Sequence, residues 1–251
     1  MRSPLRYPGG KTRAVKYILP HIPEDCKELC APFLGGGSVE LAVADRGTRV
    51  YGYDVFTPIV WFWRSLLLNP NKLADLADSY RVEHTYTHKG KPVKARGLPH
   101  EQFLKFREEV ARDVKNNKRF SHTRAAKVYA INRSSFSGAT FSGGFSKRAS
   151  YARFTDSSIT RVREPTLSVA QADFKQSIAN HPTAFLYLDP PYMLDEGRNK
   201  LYGIKGNTHE GFDHEGLHEL LTQRKNWVMS YNDHPKLREM YKEHRILDAE
   251  W

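Results

Sequence analysis

Residues 27–55 read Lys27-Glu28-Leu29-Cys30-Ala31-Pro32-Phe33-Leu34-Gly35-Gly36-Gly37-Ser38-Val39-Glu40-Leu41-Ala42-Val43-Ala44-Asp45-Arg46-Gly47-Thr48-Arg49-Val50-Tyr51-Gly52-Tyr53-Asp54-Val55. The first seven residues are short and partly apolar, as a buried strand is. Gly35-Gly36-Gly37-Ser38 then breaks the pattern. Residues 39–44 supply apolar surface through Val39, Leu41, Ala42 and Val43 and predict a helix. Residues 49–55 alternate enough to predict a second strand. Strand, glycine turn, helix and strand make a βαβ unit, so the fold class expected is α/β. Glycines let a ligand approach the backbone, and a helix start offers free N–H donors. Asp54 ends the second strand, 19 residues after Gly35. An acid at that offset commonly accepts hydrogen bonds from the ribose of an adenosine cofactor. An ordinary strand-end turn with a solvated aspartate fits this stretch equally well when it is read alone.

Upstream, Tyr7-Pro8-Gly9-Gly10-Lys11 predicts a tight turn, followed by a helix-like stretch to Leu19 that Pro20 and Pro23 end. Downstream of Asn69 the character changes. Residues 73–77, 103–114 and 124–131 predict helices, residues 84–92 a polar, turn-rich link, and residues 132–146 a loop rich in Ser, Gly and Phe. The βα pattern then returns. Strands are expected at 166–170, 184–188, 227–230 and 245–249, with a helix starting at 217–221. Residues 69–165 are therefore expected to form a mostly helical insert between two halves, 1–68 and 166–251, of one α/β sheet.

The charge is placed unevenly. The chain of 251 residues carries a formal charge of +11, and residues 81–163 hold 19 Lys and Arg against 6 Asp and Glu. The whole surplus lies in that segment, and a polyanion is its natural partner. No run of about 18 apolar residues predicts a membrane span, and the first residues lack the apolar stretch of a secretory signal. Cys26 and Cys30 read as free thiols rather than as a disulfide or a metal site. A cytoplasmic protein is expected.

Asp189-Pro190-Pro191-Tyr192 follows the apolar strand Phe185-Leu186-Tyr187-Leu188. Strand ends of open α/β sheets form active sites, and two prolines in series fix the backbone and leave carbonyls unpaired. An adenine amino group is a poor nucleophile because its lone pair is delocalised into the ring. The Asp189 carboxylate and the Pro190 carbonyl can both accept hydrogen bonds from such an NH₂, localising the lone pair on nitrogen. Tyr192 can stack on a base that has left its duplex.

These motifs resemble those of the Dam-type, D12 class DNA N6-adenine methyltransferases, and the likeness spans nearly the whole chain. Leu5-Arg6-Tyr7-Pro8-Gly9-Gly10-Lys11 resembles the family's N-terminal cofactor motif, which implicates Tyr7 and Lys11. Pro32-Phe33-Leu34-Gly35-Gly36-Gly37-Ser38 resembles its cofactor glycine loop, with Asp54 as the ribose-binding acid. Ala172-Asp173-Phe174 resembles the segment that holds the cofactor adenine, Asp173 as acceptor and Phe174 as stacking surface. Ala130-Ile131-Asn132-Arg133 resembles the Asn-Arg segment beside the DNA insert. Met229-Ser230-Tyr231-Asn232-Asp233 resembles the motif on the strand past the catalytic one. Asp189 is the most specific match, because glutamine-modifying relatives usually carry Asn there and cytosine amino-methylators often carry Ser.

The resemblance implies a Rossmann-like S-adenosylmethionine-dependent methyltransferase sheet with residues 69–165 as target-recognition insert. It implies S-adenosylmethionine as cofactor, no metal, and double-stranded DNA as partner, bound by a monomer in a prokaryotic, phage or viral setting. Asp189, Pro190, Pro191 and Tyr192 are then catalytic. Tyr7, Lys11, Phe33, Gly35, Gly36, Gly37, Ser38, Asp54, Asp173 and Phe174 hold cofactor. Asn132, Arg133, Phe136 and Phe141 are expected at the DNA, Arg133 reading a guanine edge and a phenylalanine wedging beside the vacated base. In that family another strand follows the region resembling 245–251 and completes an antiparallel end to the sheet; this sequence stops at Trp251.

Two rival readings come from other classes. His214-Glu215-Gly216-Leu217-His218 matches the H-E-x-x-H pattern of zinc proteases. Against it, Gly216 weakens a helix interior and Leu217, Leu220 and Leu221 form a plain core stripe. A DNA-binding relative without catalysis would also use the basic insert, but has no need of an intact Asp-Pro-Pro-Tyr.

Overall fold

A computed structural model describes residues 3–151, 154, 159, 166–193 and 211–250. A short helix α1 (Val15–Ile18), continued by a 3-10 turn over Leu19–His21, leads to strand β1 (Glu28–Ala31), helix α2 (Ser38–Ala44) and strand β2 (Arg49–Asp54). Helices α3 (Thr57–Leu68) and α4 (Pro70–Ser79) follow, then strands β3 (Val82–His88) and β4 (Lys91–Gly97). Helices α5 (His100–Lys115) and α6 (His122–Ser134), a 3-10 turn over Phe136–Gly138 and the short helix α7 (Lys147–Ser150) come next. Strand β5 (Leu167–Gln171), helix α8 (Phe174–Asn180), strand β6 (Phe185–Leu188), helix α9 (His214–Thr222), strand β7 (Trp227–Met229) and helix α10 (Pro235–Met240) complete the described elements.

The strands β5, β2, β1, β6 and β7 lie in that order in one sheet, and every pair is parallel. Both faces are covered, as a parallel sheet requires. Successive residues of a strand point to opposite faces, and the burial follows that alternation. Leu29, Ala31 and Tyr187 belong to one apolar cluster with α2 and α3. Cys30, Leu186 and Leu188 belong to a second with α8, α9 and α10. Residues 57–68 have no element predicted for them from sequence. They form α3, whose Pro58, Ile59, Val60, Trp61, Phe62, Trp63, Ser65 and Leu66 are all buried. A helix that is apolar over most of its circumference, with Arg64 and Leu68 exposed, is packed on more than one side. One side of it meets the sheet, and the other meets α6, where Phe62 stacks on Tyr129 at 5.5 Å between ring centroids.

Two expectations are corrected. Residues 84–92 are a hairpin and not a link: β3 and β4 pair antiparallel from Val82↔Gly97 to His88↔Lys91. Lys89 and Gly90 both take positive φ, 50° and 77°, as a two-residue turn of type I′ needs to match strand twist. The usual signal, Asn-Gly or Asp-Gly, is absent, and Lys-Gly concealed the turn. Arg81, buried, roots the ribbon by donating to the carbonyls of Arg96 at 2.6 Å and Tyr151 at 3.1 Å. The second correction is that residues 245–249 form no strand. Ile246 and Leu247 are exposed there, so the alternation that suggested a strand buries no apolar face that would hold the segment against the sheet. Residues 152–165 of the expected insert, apart from Phe154 and Ile159, and Trp251 lie outside the described residues.

Candidate active site

The sheet order reverses between β1 and β6. From β1 the chain moves outward to β2 and β5, and from β6 to β7 on the other side. Ligands of open α/β sheets bind at such a switch point, beyond the carboxyl ends of the strands. A cleft of about 880 Å³, counting the space open to solvent at its mouth, lies there. The glycine loop enters it from β1, Asp54 from β2 and Asp189 from β6.

The loop is held by named bonds. Leu34 N–H donates to the Tyr53 carbonyl at 2.8 Å, and the Trp63 indole donates to the Gly35 carbonyl at 2.9 Å. Asp54 accepts from the amides of Gly35 at 2.9 Å and Phe56 at 2.8 Å. Gly35 and Gly37 take φ of +44° and +64°, a region that L side chains rarely enter. A Cβ at Gly37 would meet the Trp63 ring at 2.4 Å, one at Gly35 the Tyr7 ring at 3.0 Å, and one at Gly36 the Tyr7 Cβ at 3.0 Å. The protein's own Trp63 ring therefore excludes a side chain at Gly37, and Tyr7 crowds Gly35 and Gly36, in addition to any ligand. Burial pushes the Asp54 carboxyl up to about 6, and the Phe56 and Gly35 amides only partly oppose this.

Asp189 is the hub of the second wall. Lys11, only 4% exposed, places its Nζ 2.7 Å from both carboxylate oxygens. Ser230 Oγ donates to Asp189 Oδ1 at 3.1 Å and is itself bonded to the Tyr187 hydroxyl at 3.1 Å. Burial raises the Asp189 carboxyl, with Lys11 and Ser230 holding it down in part. For Lys11, burial alone would lower the ammonium, but the Asp189 carboxylate outweighs it and the net shift is upward. Lys11 Nζ also lies 5.0 Å from the Tyr192 ring centroid. Asn232 clamps the segment after the prolines, accepting from Met193 N–H at 3.1 Å and donating to its carbonyl at 2.8 Å.

Tyr7, Lys11, Phe33, Gly35, Gly36, Gly37 and Ser38 thus line the same cleft as Asp54, Asp189, Pro190, Pro191 and Tyr192. Asp173 and Phe174 stand apart from its lining. Asp173 is exposed and caps α8 by accepting from Gln176 N–H at 2.8 Å. Phe174 packs in an aromatic group with Phe33 and Phe212, at centroid distances of 6.0 and 5.4 Å. Three contributors escaped the sequence reading. Ser230 and Asn232 lay within a quoted motif but were given no role. Glu40, read only as part of α2, is 2% exposed and lines the cleft.

The DNA-side candidates divide. Asn132 is fully buried: its amide donates to the carbonyls of Arg6 and Gly138 and to Thr140 Oγ1, at 2.7, 3.1 and 2.9 Å. Its Oδ1 accepts from Arg6 N–H at 3.1 Å. It therefore ties the loop to the segment that carries Tyr7 and Lys11. Phe141 is 2% exposed and meets Phe56 edge-on at 5.6 Å. Phe136 is 68% exposed, and Arg133 is half-buried beside Arg6. Burial and the Arg133 charge hold the Arg6 guanidinium below its ordinary value.

The histidines of the H-E-x-x-H match have other partners. His214 Nδ1 bonds to the Tyr231 hydroxyl, and His218 packs edge-on to Tyr241 at 4.9 Å. Among the described residues no group of three or more His, Cys, Asp or Glu is placed to hold a metal ion. No described helix is long and apolar enough to cross a membrane.

A model of the D12 class N6 adenine-specific DNA methyltransferases matches residues 7–251. The chain is also similar to the Type II methyltransferase M1.LlaDCHI of Lactococcus lactis subsp. cremoris, at 22% identity over 265 aligned residues, covering 98% of this chain and 86% of that protein.

Proposed function

We propose, from the premise that the chain belongs to the D12 class N6 adenine-specific DNA methyltransferase family, that it moves a methyl group from S-adenosylmethionine to the N6 amino nitrogen of an adenine turned out of duplex DNA. The observation that carries this reading is the meeting of the glycine loop, Asp54 and Asp189-Pro190-Pro191-Tyr192 in one cleft at the switch point of the sheet. The donor set suits a cation. Three carboxyl groups, Glu40, Asp54 and Asp189, line the cleft with one lysine, and that lysine is already engaged by Asp189.

Within this reading Asp54 accepts from the ribose, and the glycine loop and Tyr7 shape the adjoining wall. Phe33 offers an apolar face to the cofactor adenine, backed by Phe174. Asp173 stands outside the cleft lining at the start of α8 and takes the adenine only if the aromatic group opens toward it. Bound here, S-adenosylmethionine supplies an electrophilic methyl carbon. Asp189 and the Pro190 carbonyl accept the two amino hydrogens of adenine and aim its lone pair. Lys11 and Ser230 keep the Asp189 carboxylate oriented, and Tyr192 stacks on the extruded base. Attack is direct, without a covalent enzyme intermediate and without metal.

Residues 69–165 serve as the recognition part. The β3–β4 ribbon carries Lys89, Lys91, Lys94 and Arg96, and a two-stranded ribbon fits a major groove. Arg133 and Phe136 are the side chains of the 132–146 loop suited to touch DNA, while Asn132 and Phe141 hold that loop against the cofactor side. The relative's description as a Type II methyltransferase suggests the modification arm of a restriction–modification pair. Incubation of purified protein with plasmid and S-adenosylmethionine, followed by digestion with methylation-sensitive restriction enzymes and nucleoside analysis, tests the reading. N6-methyladenine is expected. Exclusive methylation of cytosine, or transfer to no base, would overturn it.

A further inference from the structure

Glu40 is a buried carboxyl group that neither the chemistry above nor the packing explains. It sits in the first turn of α2, directly after the glycine loop, 2% exposed and lining the cleft. The backbone amides of Val39 and of Glu40 itself favour its charged form in part. The titratable groups that act on it, or that it acts on, are Asp189, Lys11 and Tyr187. Two of these add no positive charge. The third, Lys11, is committed to Asp189, with its Nζ 2.7 Å from both carboxylate oxygens. A carboxylate buried without a cation is costly, and an apolar residue of similar size would pack α2 at lower cost. Burial accordingly pushes the Glu40 carboxyl up to about 8. Such a group is suited to a cation that arrives from outside.

The bound donor has a cation of the right kind. Asp54 addresses its ribose, at the end of β2, and Asp189 faces the methyl acceptor. What remains to be held is the amino-acid tail, whose α-ammonium needs an anion. Of the three carboxyl groups lining the cleft, Glu40 alone is without an assigned partner in the reaction. We infer that Glu40 binds the α-ammonium of the methyl donor and thereby positions its amino-acid tail beside Lys11 and Asp189. This rests on the proposed identity of the donor and adds a residue that no cofactor motif pointed to.

Two thioether nucleosides separate this contact from the rest of the pocket. S-adenosylhomocysteine carries the amino-acid tail, whereas 5′-methylthioadenosine has the same adenosine and sulfur without it. Calorimetric titration of both into the full-length protein at pH 8 compares wild type, Glu40→Gln and Asp54→Ala. Glu40→Gln keeps the shape of the side chain, and its affinity for methylthioadenosine reports whether the pocket is still folded. The expected result is a roughly ten- to a hundredfold loss of S-adenosylhomocysteine affinity in Glu40→Gln, the scale of a hydrogen bond between charged groups, with methylthioadenosine unchanged. Asp54→Ala weakens both. Equal affinity of wild type and Glu40→Gln for S-adenosylhomocysteine overturns the assignment. An equal loss for both probes also overturns it, because Glu40 would then act only through the fold. Wild-type protein that binds neither probe removes the donor reading itself, and this inference with it.

Discussion

Asp189 and Lys11 form a pair in which each partner's charge answers the other's burial. Replacing Asp189 by Ala removes the acceptor proposed to orient the adenine amino group. A loss of methyl transfer on the order of a hundredfold or more is expected, with S-adenosylhomocysteine binding retained in calorimetry. Near wild-type turnover by this variant contradicts the chemistry proposed. Asp54→Ala should weaken cofactor binding by roughly 1.5–3 kcal/mol, typical of hydrogen bonds to a charged group. Glu40 makes a pH-dependent prediction for the ligand-free protein. Its carboxyl titrates near 8 when folded and in the ordinary carboxylate range, about 4.3, when unfolded. Between those values the native state holds a proton that the unfolded state has lost, so this group's contribution to stability declines as pH rises and levels off above about 8. Glu40→Gln removes that decline. Its melting temperature relative to wild type should climb from pH 5 to pH 8, and a difference independent of pH would show that Glu40 is not held in this way.

Among the elements, the β3–β4 ribbon and the 132–146 loop divide the proposed DNA work. The ribbon is rooted by Arg81 and carries its lysines on exposed positions. Changing Lys89, Lys91 and Lys94 together to Ala should weaken binding to all duplexes alike and flatten the dependence of affinity on salt. Filter binding across a salt series checks both; an unchanged slope places the phosphate contacts elsewhere. In the loop, exposure separates two phenylalanines that look equivalent in sequence. Phe136→Ala should reduce preference for the cognate site and leave the melting temperature near wild type. Phe141→Ala opens a cavity against Phe56 and should cost about 3–5 kcal/mol of stability. Chemical denaturation distinguishes the two, and a stability loss confined to Phe136→Ala would reverse the assignment.

At the scale of the whole molecule, the apolar core of the described residues runs unbroken from the sheet into the insert. One buried cluster runs from Leu29 and Val50 in the sheet through Ile59, Phe62 and Trp63 of α3 to Leu73 of α4, Phe103 of α5 and Ala126 and Tyr129 of α6. The ion pairs Arg124–Asp113 and Lys127–Glu109, at 2.7 and 2.6 Å, join α6 to α5 within the same body. Helices α3–α6 should therefore melt together with the sheet, and calorimetry should find one cooperative transition. Two resolved transitions, one of them lost when residues 70–134 are removed, would show that the insert has a core of its own.

By itself the sequence determined the β1–α2–β2 unit, the strand before Asp189 and the acids at both strand ends. These rest on local patterns: apolar runs, a glycine turn and a proline pair act within a few residues of chain. It also marked the basic middle segment, because charge adds without regard to fold. Only the tertiary structure decided which face each residue meets. The hairpin at 82–97 was hidden because Lys-Gly is an uncommon turn pair, and pairing across it is non-local. The strand expected at 245–249 does not form, because alternation is a local pattern and Ile246 and Leu247 stay exposed and bury no face against the sheet. Asn132 and Phe141 proved buried because Arg6 and Phe56, distant in sequence, close over them. Glu40 showed no motif, since burial and the absence of a spare cation are properties of the assembled cleft.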